Sequence, residues 1–304
     1  MRISMPRLRG VLSPVLTPFD AGLAPDRKRY LAHCRKLLDS GVGLAVFGTN
    51  SEANSLAVEE KLDLLDYLLE NGIPAGRLLP GTGCCALTDS VKLTRAAVAK
   101  ACGGVLMLPP FYYKQVTDDG LFKTYSEIIE RVGEAGLRLY LYHIPPIAVV
   151  PISAVLIEKL LKAYPGVIAG IKDSSGDWNN TQMLLDNFQS DGFDVFCGSE
   201  AFLLRTLRGG GAGCITATAN TNAPAIVDMY ENWQNAGADA KQAAITATRN
   251  IFAGLPMIAC MKAVIARELN DPGWAMPRPP LMPCPPDKID AVMAELKKAG
   301  YKYI

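Results

Sequence analysis

The sequence has very little histidine, with two residues, His33 and His143, in 304 positions. A zinc site of the histidine and cysteine type therefore has few ligands available, and we expect no bound metal. The eight cysteines are scattered, and none has the Cys-x-x-Cys spacing of zinc and redox sites. A chain of this size needs no disulfide framework, so the sequence predicts reduced, mostly buried thiols in a cytoplasmic protein.

Long apolar runs and an excess of charge of one sign are also absent. The longest apolar segment, residues 251–266, is interrupted by Gly254, Pro256 and Lys262 and is shorter than the roughly 20 apolar residues of a membrane span. Prolines break the stretch after the basic N-terminus, so no signal peptide is predicted. Basic and acidic residues number 31 and 30 and are dispersed, which argues against nucleic acid or an anionic membrane as the partner. The expected ligand is a small molecule.

What the chain does contain is a regular alternation of short apolar runs and longer segments of helical periodicity. This alternation is typical of βαβ units and a parallel sheet. The predicted strands cover residues 11–16, 43–47, 77–81, 104–108, 138–142, 167–172, 194–198 and 212–218. Eight such units close naturally into a (β/α)8 barrel, the TIM-barrel fold, and a barrel accommodates this length in one domain.

Helical segments follow the predicted strands, and several begin with a capping residue or an acidic first turn. They cover residues 27–39, 58–70, 89–101, 119–135 and 153–163. Two further helical segments, 241–269 and 287–299, lie beyond the last strand and are joined by a proline-rich connector. We therefore expect a barrel at residues 1–225, with a C-terminal helical extension at 226–304 packed on it.

An open, doubly wound sheet is the rival architecture, and residues 81–86 (GTGCCA) formally match a dinucleotide-binding fingerprint. That fingerprint requires an acidic residue about 20 positions further on. The corresponding residues, 101–103, are Ala-Cys-Gly. We interpret the glycines as a tight strand-to-helix turn and expect no cofactor.

Polar residues at the carboxyl ends of barrel strands are the candidates for catalysis. Lys172 ends an apolar run that begins at Val167. An amine in apolar surroundings loses part of its preference for the charged form, and a free amine attacks a ketone. The alternative is a lysine that extends from the strand end into solvent.

Tyr142 ends the neighbouring strand, where its hydroxyl can transfer protons during imine formation. Thr49 and Tyr112 end two further strands. Each has an ordinary structural alternative: a packed tyrosine ring, a turn-stabilising hydroxyl and an aromatic loop plug. The coincidence of all four residues on different strand ends favours a catalytic site.

Seven motifs resemble the pyruvate-dependent class I aldolases, the family that includes dihydrodipicolinate synthase and N-acetylneuraminate lyase. They occur in the family's order over nearly the whole chain, at residues 14–19 (PVLTPF), 48–52 (GTNSE), 81–83 (GTG), 109–112 (PPFY), 142–145 (YHIP), 170–176 (GIKDSSG) and 213–220 (GCITATAN). The resemblance implies that Lys172 forms a Schiff base and that Tyr142 shuttles protons and contacts the substrate carboxylate. It implies a proton relay through Thr49 and Tyr112, with Tyr112 reaching across a dimer. It also implies a backbone contact from Ile215 to a bound 2-oxo acid, and a homotetramer built as a dimer of dimers.

The departures from this family concern the substrate. Asn50 and Ser51 stand where the family often has Thr-Gly, so Asn50, Ser51 or backbone N–H groups are expected to bind the carboxylate. Ile147 stands where dihydrodipicolinate synthase has an arginine for its second substrate, and it cannot pair with a carboxylate. N-acetylneuraminate lyase has adjacent Asp and Glu after strand seven, where this chain has one carboxylate. The candidate contacts to the second substrate are therefore Ser199, Glu200 and His143.

The sequence thus predicts a Schiff-base lyase or synthase that makes or breaks a carbon–carbon bond, acting on a 2-oxo acid and an aldehyde or hydroxy-oxo acid. Four alternatives stay open: dihydrodipicolinate synthase proper, a dehydratase of 2-oxo-3-deoxy sugar acids that uses the same imine, a metal-dependent aldolase, and a barrel that binds an oxo acid without turnover.

Overall fold

Seven β-strands and twelve α-helices lie within residues 6–303, the part of the chain that this computed structural model describes. The strands are β1 (Gly10–Ser13), β2 (Gly43–Leu44), β3 (Val105–Met107), β4 (Leu139–His143), β5 (Ile168–Asp173), β6 (Asp194–Cys197) and β7 (Gly213–Ile215). The helices are α1 (Arg27–Asp39), α2 (Val58–Glu70), α3 (Leu87–Ala99), α4 (Asp118–Val132), α5 (Pro145–Ala148), α6 (Ala154–Ala163), α7 (Trp178–Phe188), α8 (Leu203–Arg208), α9 (Ala219–Glu231), α10 (Ala238–Ile251), α11 (Met257–Glu268) and α12 (Pro286–Lys298).

Six of the seven predicted helices are confirmed to within three residues at each end. Helices α1 and α2 have the predicted bounds. Side chains of Asp26, Thr117 and Ser153 cap α1, α4 and α6 by accepting hydrogen bonds from backbone N–H groups of the first turn. The predicted helix at 241–269 is two helices, α10 and α11, separated at Gly254, which has φ +74°.

The predicted strand at residues 77–81 is wrong in its bounds. A 3-10 helix, Ala75–Arg77, occupies its start. What remains is a short contact with β3, in which the Leu106 N–H donates to the Pro80 carbonyl (2.9 Å) and the Thr82 N–H donates to the Leu106 carbonyl (3.0 Å). Pro80 has no N–H group, so it takes part in the ladder only as an acceptor.

The first of two compact units packs residues 6–9 with Pro74–Ile215. Its five strands are parallel, and neighbouring strands pair in the order β7-β6-β5-β4-β3. Buried side chains of α3, α4, α6 and α7 form one apolar cluster with this sheet. At the amino-terminal end of β6, Asp194 forms ion pairs with Arg7 (3.4 Å) and Arg9 (3.3 Å) and accepts a hydrogen bond from the Tyr140 hydroxyl (3.1 Å).

The second unit packs Gly10–Ile73 with residues 216–303. Its strands β1 and β2 are parallel, and the Thr216 N–H extends the ladder by donating to the Leu12 carbonyl (3.0 Å). An apolar cluster joins Leu16 to buried residues of α11 and α12. The predicted domain boundary at residue 225 stays a prediction.

Gly83 shows why the Gly-Thr-Gly turn needs a glycine. A Cβ atom at this position would lie 2.3 Å from the Leu108 backbone nitrogen, closer than any side chain tolerates. The glycine therefore serves the packing of two chain segments against each other. Among the described residues, none of the helices combines the length and hydropathy that crossing a membrane requires.

Candidate active site

Lys172 and Tyr142 are brought together by the pairing of two parallel strands. The register of β4 and β5 places Tyr142 opposite Lys172. The Lys172 Nζ atom lies 3.1 Å from the Tyr142 hydroxyl oxygen and 4.2 Å from the centroid of the tyrosine ring. Each residue is 2% exposed, so the lysine does not extend into solvent. A buried amine and a phenol in hydrogen-bond contact can exchange a proton directly.

Asp173, the next residue on β5, organises the loop that follows the strand. Its carboxylate accepts hydrogen bonds from the Ser175 N–H (3.0 Å) and the Thr181 hydroxyl (2.6 Å). Its carbonyl accepts from the Gly198 N–H (2.6 Å). Asp173 belongs to the sequence motif at residues 170–176, but the motif alone does not predict this role. Its position beside Lys172 means that these bonds also fix the end of the strand that carries the amine.

His143, a predicted substrate contact, has a structural partner. Its Nδ1 atom accepts a hydrogen bond from the Ile152 N–H (3.0 Å), which ties the segment after β4 back to the strand. Burial lowers the pKa of His143, and the nearby Asp173 charge opposes that shift. Because Nδ1 accepts a hydrogen bond, the neutral ring carries its own proton on Nε2. A substrate contact from His143 stays a prediction.

The carboxyl ends of β6 and β7 hold three more predicted contacts. Ser199 caps the 3-10 helix Glu200–Phe202 by accepting a hydrogen bond from the Ala201 N–H (3.3 Å). The Glu200 side chain that follows it is fully buried. Ile215, the last residue of β7, is also fully buried, so its backbone is held firmly in place.

Tyr112 is not enclosed with the lysine and tyrosine pair. It is 72% exposed, and its ring packs edge-to-face on that of Tyr113, which is 73% exposed, with 5.4 Å between the ring centroids. Two adjacent exposed tyrosines form a large apolar surface with polar tips, which is a common composition of protein interfaces.

In the second unit, Thr49, Asn50 and Ser51 form one 3-10 turn in the loop that follows β2. The Ser51 hydroxyl accepts a hydrogen bond from the Gly48 N–H (3.1 Å), and the Ser51 carbonyl accepts one from the Thr17 hydroxyl (2.7 Å). Thr49 and Asn50 are half-buried. Ser51 therefore has a structural role in the turn, whereas a carboxylate contact from Asn50 or Ser51 stays a prediction.

Glu52 fixes this turn from its buried side. It ends the turn in the left-handed conformation, with φ +56°, and its carboxylate forms an ion pair with Lys262 of α11. The Arg278 N–H also donates to Glu52 (2.8 Å), and the Lys262 ammonium donates to the Met276 carbonyl (2.9 Å). Burial lowers the pKa of Lys262 to about 8, and the Glu52 charge opposes that shift.

The ring of Phe19 packs against the two basic residues that bind Glu52. The Lys262 Nζ atom lies 4.5 Å from the Phe19 ring centroid, and the Arg278 guanidinium carbon lies 4.6 Å from it. Sequence reasoning missed this cluster. The one signal was Lys262 itself, a charged residue inside the longest apolar segment of the chain.

No group of three or more histidine, cysteine, aspartate or glutamate side chains within residues 6–303 is arranged to hold a metal ion.

The chain is similar to known proteins over nearly its whole length. Residues 7–299 match the model of the dihydrodipicolinate synthetase family. An uncharacterized DapA-like lyase of Chloroflexus aurantiacus is 33% identical over 297 residues, which cover 95% of this chain and 96% of the relative. The 4-hydroxy-tetrahydrodipicolinate synthase of Mycolicibacterium paratuberculosis is 28% identical over 298 residues, which cover 97% and 96% of the two chains.

Solved structures of this family have the same fold as this chain. Dihydrodipicolinate synthase from Agrobacterium tumefaciens superposes with a TM-score of 0.88 at 26% identity, over 95% of this chain and 99% of that one. YagE, a prophage protein from E. coli K12 solved in complex with pyruvate, superposes with a TM-score of 0.87 at 22% identity, over 97% and 99%. These likenesses confirm the predicted (β/α)8 barrel with additional C-terminal helices.

Proposed function

The chain belongs to the dihydrodipicolinate synthetase family, and we propose that it is a Schiff-base lyase or synthase in which Lys172 captures pyruvate or a related 2-oxo acid. The observation that carries this proposal is the 3.1 Å contact between the Lys172 amine and the Tyr142 hydroxyl, with both side chains buried. A buried amine next to a proton donor and acceptor is the arrangement that imine formation requires.

In the proposed first step, the Lys172 amine attacks the ketone carbon of the oxo acid. The resulting carbinolamine loses its hydroxyl group as water, for which the Tyr142 hydroxyl supplies the proton. The product is a protonated imine between Lys172 Nζ and the former ketone carbon. The Tyr142 hydroxyl lies 3.1 Å from the Lys172 nitrogen in the free protein, so the proposed proton transfer is short.

The second step uses the imine as an electron sink. Transfer of a proton from the carbon next to the imine carbon to the Tyr142 oxygen, which gave up its own proton in the first step, leaves an enamine, and the protonated nitrogen accepts the electron pair. The enamine carbon then attacks an aldehyde to form a carbon–carbon bond. In the opposite direction, the same groups cleave a 4-hydroxy-2-oxo acid, and hydrolysis of the imine releases the oxo acid and restores Lys172.

The remaining site residues are assigned supporting roles in this proposal. Thr49 and Tyr112 relay protons from Tyr142 to solvent, and Ile215 contacts the oxo acid through its carbonyl. Asn50, Ser51 and the N–H groups of their turn bind the carboxylate. The second substrate is contacted by Ser199, Glu200 and His143. These roles rest on the family resemblance and on the positions of the residues at the ends of the strands.

The second substrate is proposed to lack the carboxylate of aspartate semialdehyde. Ile147 is 60% exposed on α5, where dihydrodipicolinate synthase presents an arginine. An exposed isoleucine offers no hydrogen bond to a carboxylate, so synthesis of dihydrodipicolinate is disfavoured. We propose instead an aldehyde or hydroxy-oxo acid with a neutral, hydroxylated tail, for which Ser199 and Glu200 are the candidate contacts.

We also propose a cytoplasmic homotetramer, a dimer of dimers in which Tyr112 enters the neighbouring protomer's active site. The exposed Tyr112 and Tyr113 pair supports this assembly, because burial of two large aromatic rings stabilises an interface. Sedimentation at several protein concentrations tests the assembly.

Borohydride trapping tests the proposed imine. The protein is incubated with pyruvate, reduced, digested, and searched by mass spectrometry for a pyruvate-derived adduct on Lys172. Lys172→Ala and Lys172→Arg serve as controls, the latter because it keeps the positive charge. An adduct that is present in the wild type and absent from both variants is expected. A folded wild-type protein that gives no adduct with pyruvate or longer 2-oxo acids would overturn the proposal.

Two measurements separate the proposal from its rivals. Turnover that survives exhaustive chelation is expected, whereas activity that returns only on addition of a metal would favour a metal-dependent aldolase. Exchange of the methyl protons of pyruvate with deuterium from solvent is expected as well. Calorimetric binding of pyruvate without that exchange would favour a protein that binds the oxo acid but does not turn it over.

A further inference from the structure

Two cysteines that are distant in sequence meet in the second unit. The Sγ atom of Cys260 lies 2.7 Å from the Sγ atom of Cys284, although 24 positions separate the residues. Cys260 is buried on α11. Cys284 is half-buried in the proline-rich connector (residues 276–285) that precedes α12. Both are free thiols in this structure.

We propose that Cys260 and Cys284 form a site of oxidative modification at which an intramolecular disulfide closes. A disulfide bond requires sulfur atoms about 2.05 Å apart, so the two Sγ atoms, 2.7 Å apart, need only a small further approach to form one. The spacing of the two cysteines matches neither a redox motif nor a metal motif, so the pairing is not predictable from the sequence. The pairing is set by the fold, which brings the connector back against α11.

The proposed chemistry is thiol–disulfide exchange with a low-molecular-weight disulfide such as oxidised glutathione. The half-buried Cys284 reacts first: its thiolate attacks one sulfur of the small disulfide, forms a mixed disulfide and releases one small thiol. The Cys260 thiolate then attacks the Cys284 sulfur, forms the protein disulfide and releases the second small thiol. Two protein thiols are thereby oxidised and one small disulfide is reduced to two thiols.

The order of these steps follows from the surroundings of the two thiols. Cys260 is fully buried, which raises its pKa and keeps a reagent in solution away from its sulfur, whereas Cys284 is half-buried. Once the mixed disulfide exists, its sulfur stands next to Cys260, and the second attack is intramolecular. Cys284 is therefore the entry thiol and Cys260 the resolving thiol.

The disulfide would join two segments that both hold Glu52. Lys262 lies on α11 two residues after Cys260, and Arg278 lies in the connector. Both donate hydrogen bonds to the Glu52 carboxylate. Oxidation would therefore restrain the connector against α11 and stabilise the anchor of the Thr49–Ser51 turn. For a closed loop of about 25 residues we expect an increase in Tm of about 5 °C or more.

The test is to expose the folded protein to oxidised glutathione, block the remaining thiols, and map peptides without reduction. A peptide pair linked through Cys260 and Cys284, with loss of two hydrogens and no retained glutathione, is expected. The Tm should rise on oxidation and return on reduction. If both cysteines are recovered individually blocked after oxidation of the other thiols, the proposal fails.

Two single variants test the order of attack. In Cys260→Ser, glutathione should remain on Cys284 as a stable mixed disulfide, because the resolving thiol is missing. In Cys284→Ser, Cys260 should stay unmodified and oxidation should leave the Tm unchanged. Since Cys284 is half-buried, its serine variant is expected to fold normally. Retention of glutathione on Cys284 in the wild type, without a linked peptide, would show that the two thiols do not react with each other.

Discussion

Lys262 and Glu52 form an ion pair in which neither side chain is exposed, although 210 positions separate them in the sequence. Glu52 directly follows the turn that carries Thr49, Asn50 and Ser51. The ion pair therefore holds the turn from its buried side. Residues that touch no substrate thus determine where the predicted site residues of the second unit are placed.

Replacing Lys262 by Met is expected to destabilise the fold by about 3–5 kcal/mol, because it leaves a buried carboxylate without its cation. The matched control is Lys241→Met, which breaks the ion pair of Lys241 with Asp228 at the surface and should cost about 1 kcal/mol or less. Urea unfolding measures both variants. Adding Glu52→Gln to Lys262→Met should recover part of the loss, since no unpaired charge then remains. Equal losses of stability in Lys262→Met and Lys241→Met would contradict a special role for the buried pair.

Tyr142→Phe is expected to slow turnover on the order of 100-fold or more, because it removes the proposed proton shuttle. Tyr140→Phe is the matched control on the same strand. It removes a hydroxyl near the amino-terminal end of β4 that donates a hydrogen bond to Asp194 of β6. That variant should lose stability but keep its turnover number. Comparison of kcat for the two variants, with Tm as the check on folding, decides; near-normal kcat in Tyr142→Phe would exclude its proposed role.

Ile147→Arg is expected to improve the use of an aldehyde that carries a carboxylate, such as aspartate semialdehyde. A hydrogen-bonded guanidinium contributes about 1.5–3 kcal/mol, so KM for that aldehyde should fall about 10-fold or more. Ile147 is exposed, so its replacement should leave the core unchanged. Val149→Arg places the same charge two positions away on another exposed side chain. Equal effects from both variants would indicate a general charge effect instead of a specific contact.

His33 predicts a loss of stability in acid. Burial lowers its pKa from 6.5 to about 4. Between these values the unfolded chain binds a proton that the folded chain does not, so stability rises with pH across this window. It is lost as the pH falls from about 6.5 toward 4, and the full effect is about 3 kcal/mol.

His33→Gln is the variant that isolates this effect. His33 Nε2 lies 3.1 Å from the Asn220 side-chain oxygen, and glutamine keeps a donor for that oxygen without titrating. Urea unfolding of both proteins at pH 7 and pH 4.5 should show that the wild type loses more stability than the variant. Parallel losses would mean that other groups cause the acid sensitivity.

Local signals were enough to predict much of the fold. The caps at Asp26 and Ser153 and the apolar periodicity between them placed the helices. Lys172 is predictable because a charged residue ends an apolar strand, and Tyr142 because a polar hydroxyl ends the preceding strand. The strand at 77–81 was mispredicted because its apolar composition hides a 3-10 turn and a proline without an N–H group.

Other features had no local signal at all. Nothing near Glu52 in the sequence indicates that its partners are Lys262 and Arg278, because only the folded chain brings these segments together. The contact between Cys260 and Cys284 has the same origin. His143 has a polar side chain at a strand end, but the sequence does not reveal that its Nδ1 atom accepts a hydrogen bond from Ile152.

The second unit draws its core from both ends of the chain, with Leu16 packed among buried residues of α11 and α12. During synthesis, the segment 10–73 leaves the ribosome long before residues 216–303 exist. The segment 74–215, by contrast, contains nearly all of the first unit's core and can collapse as soon as it is made. Apolar side chains of the segment 10–73, such as Leu16, therefore lack their packing partners until residues 216–303 have been made, and we expect chaperones to bind the nascent protein at this segment.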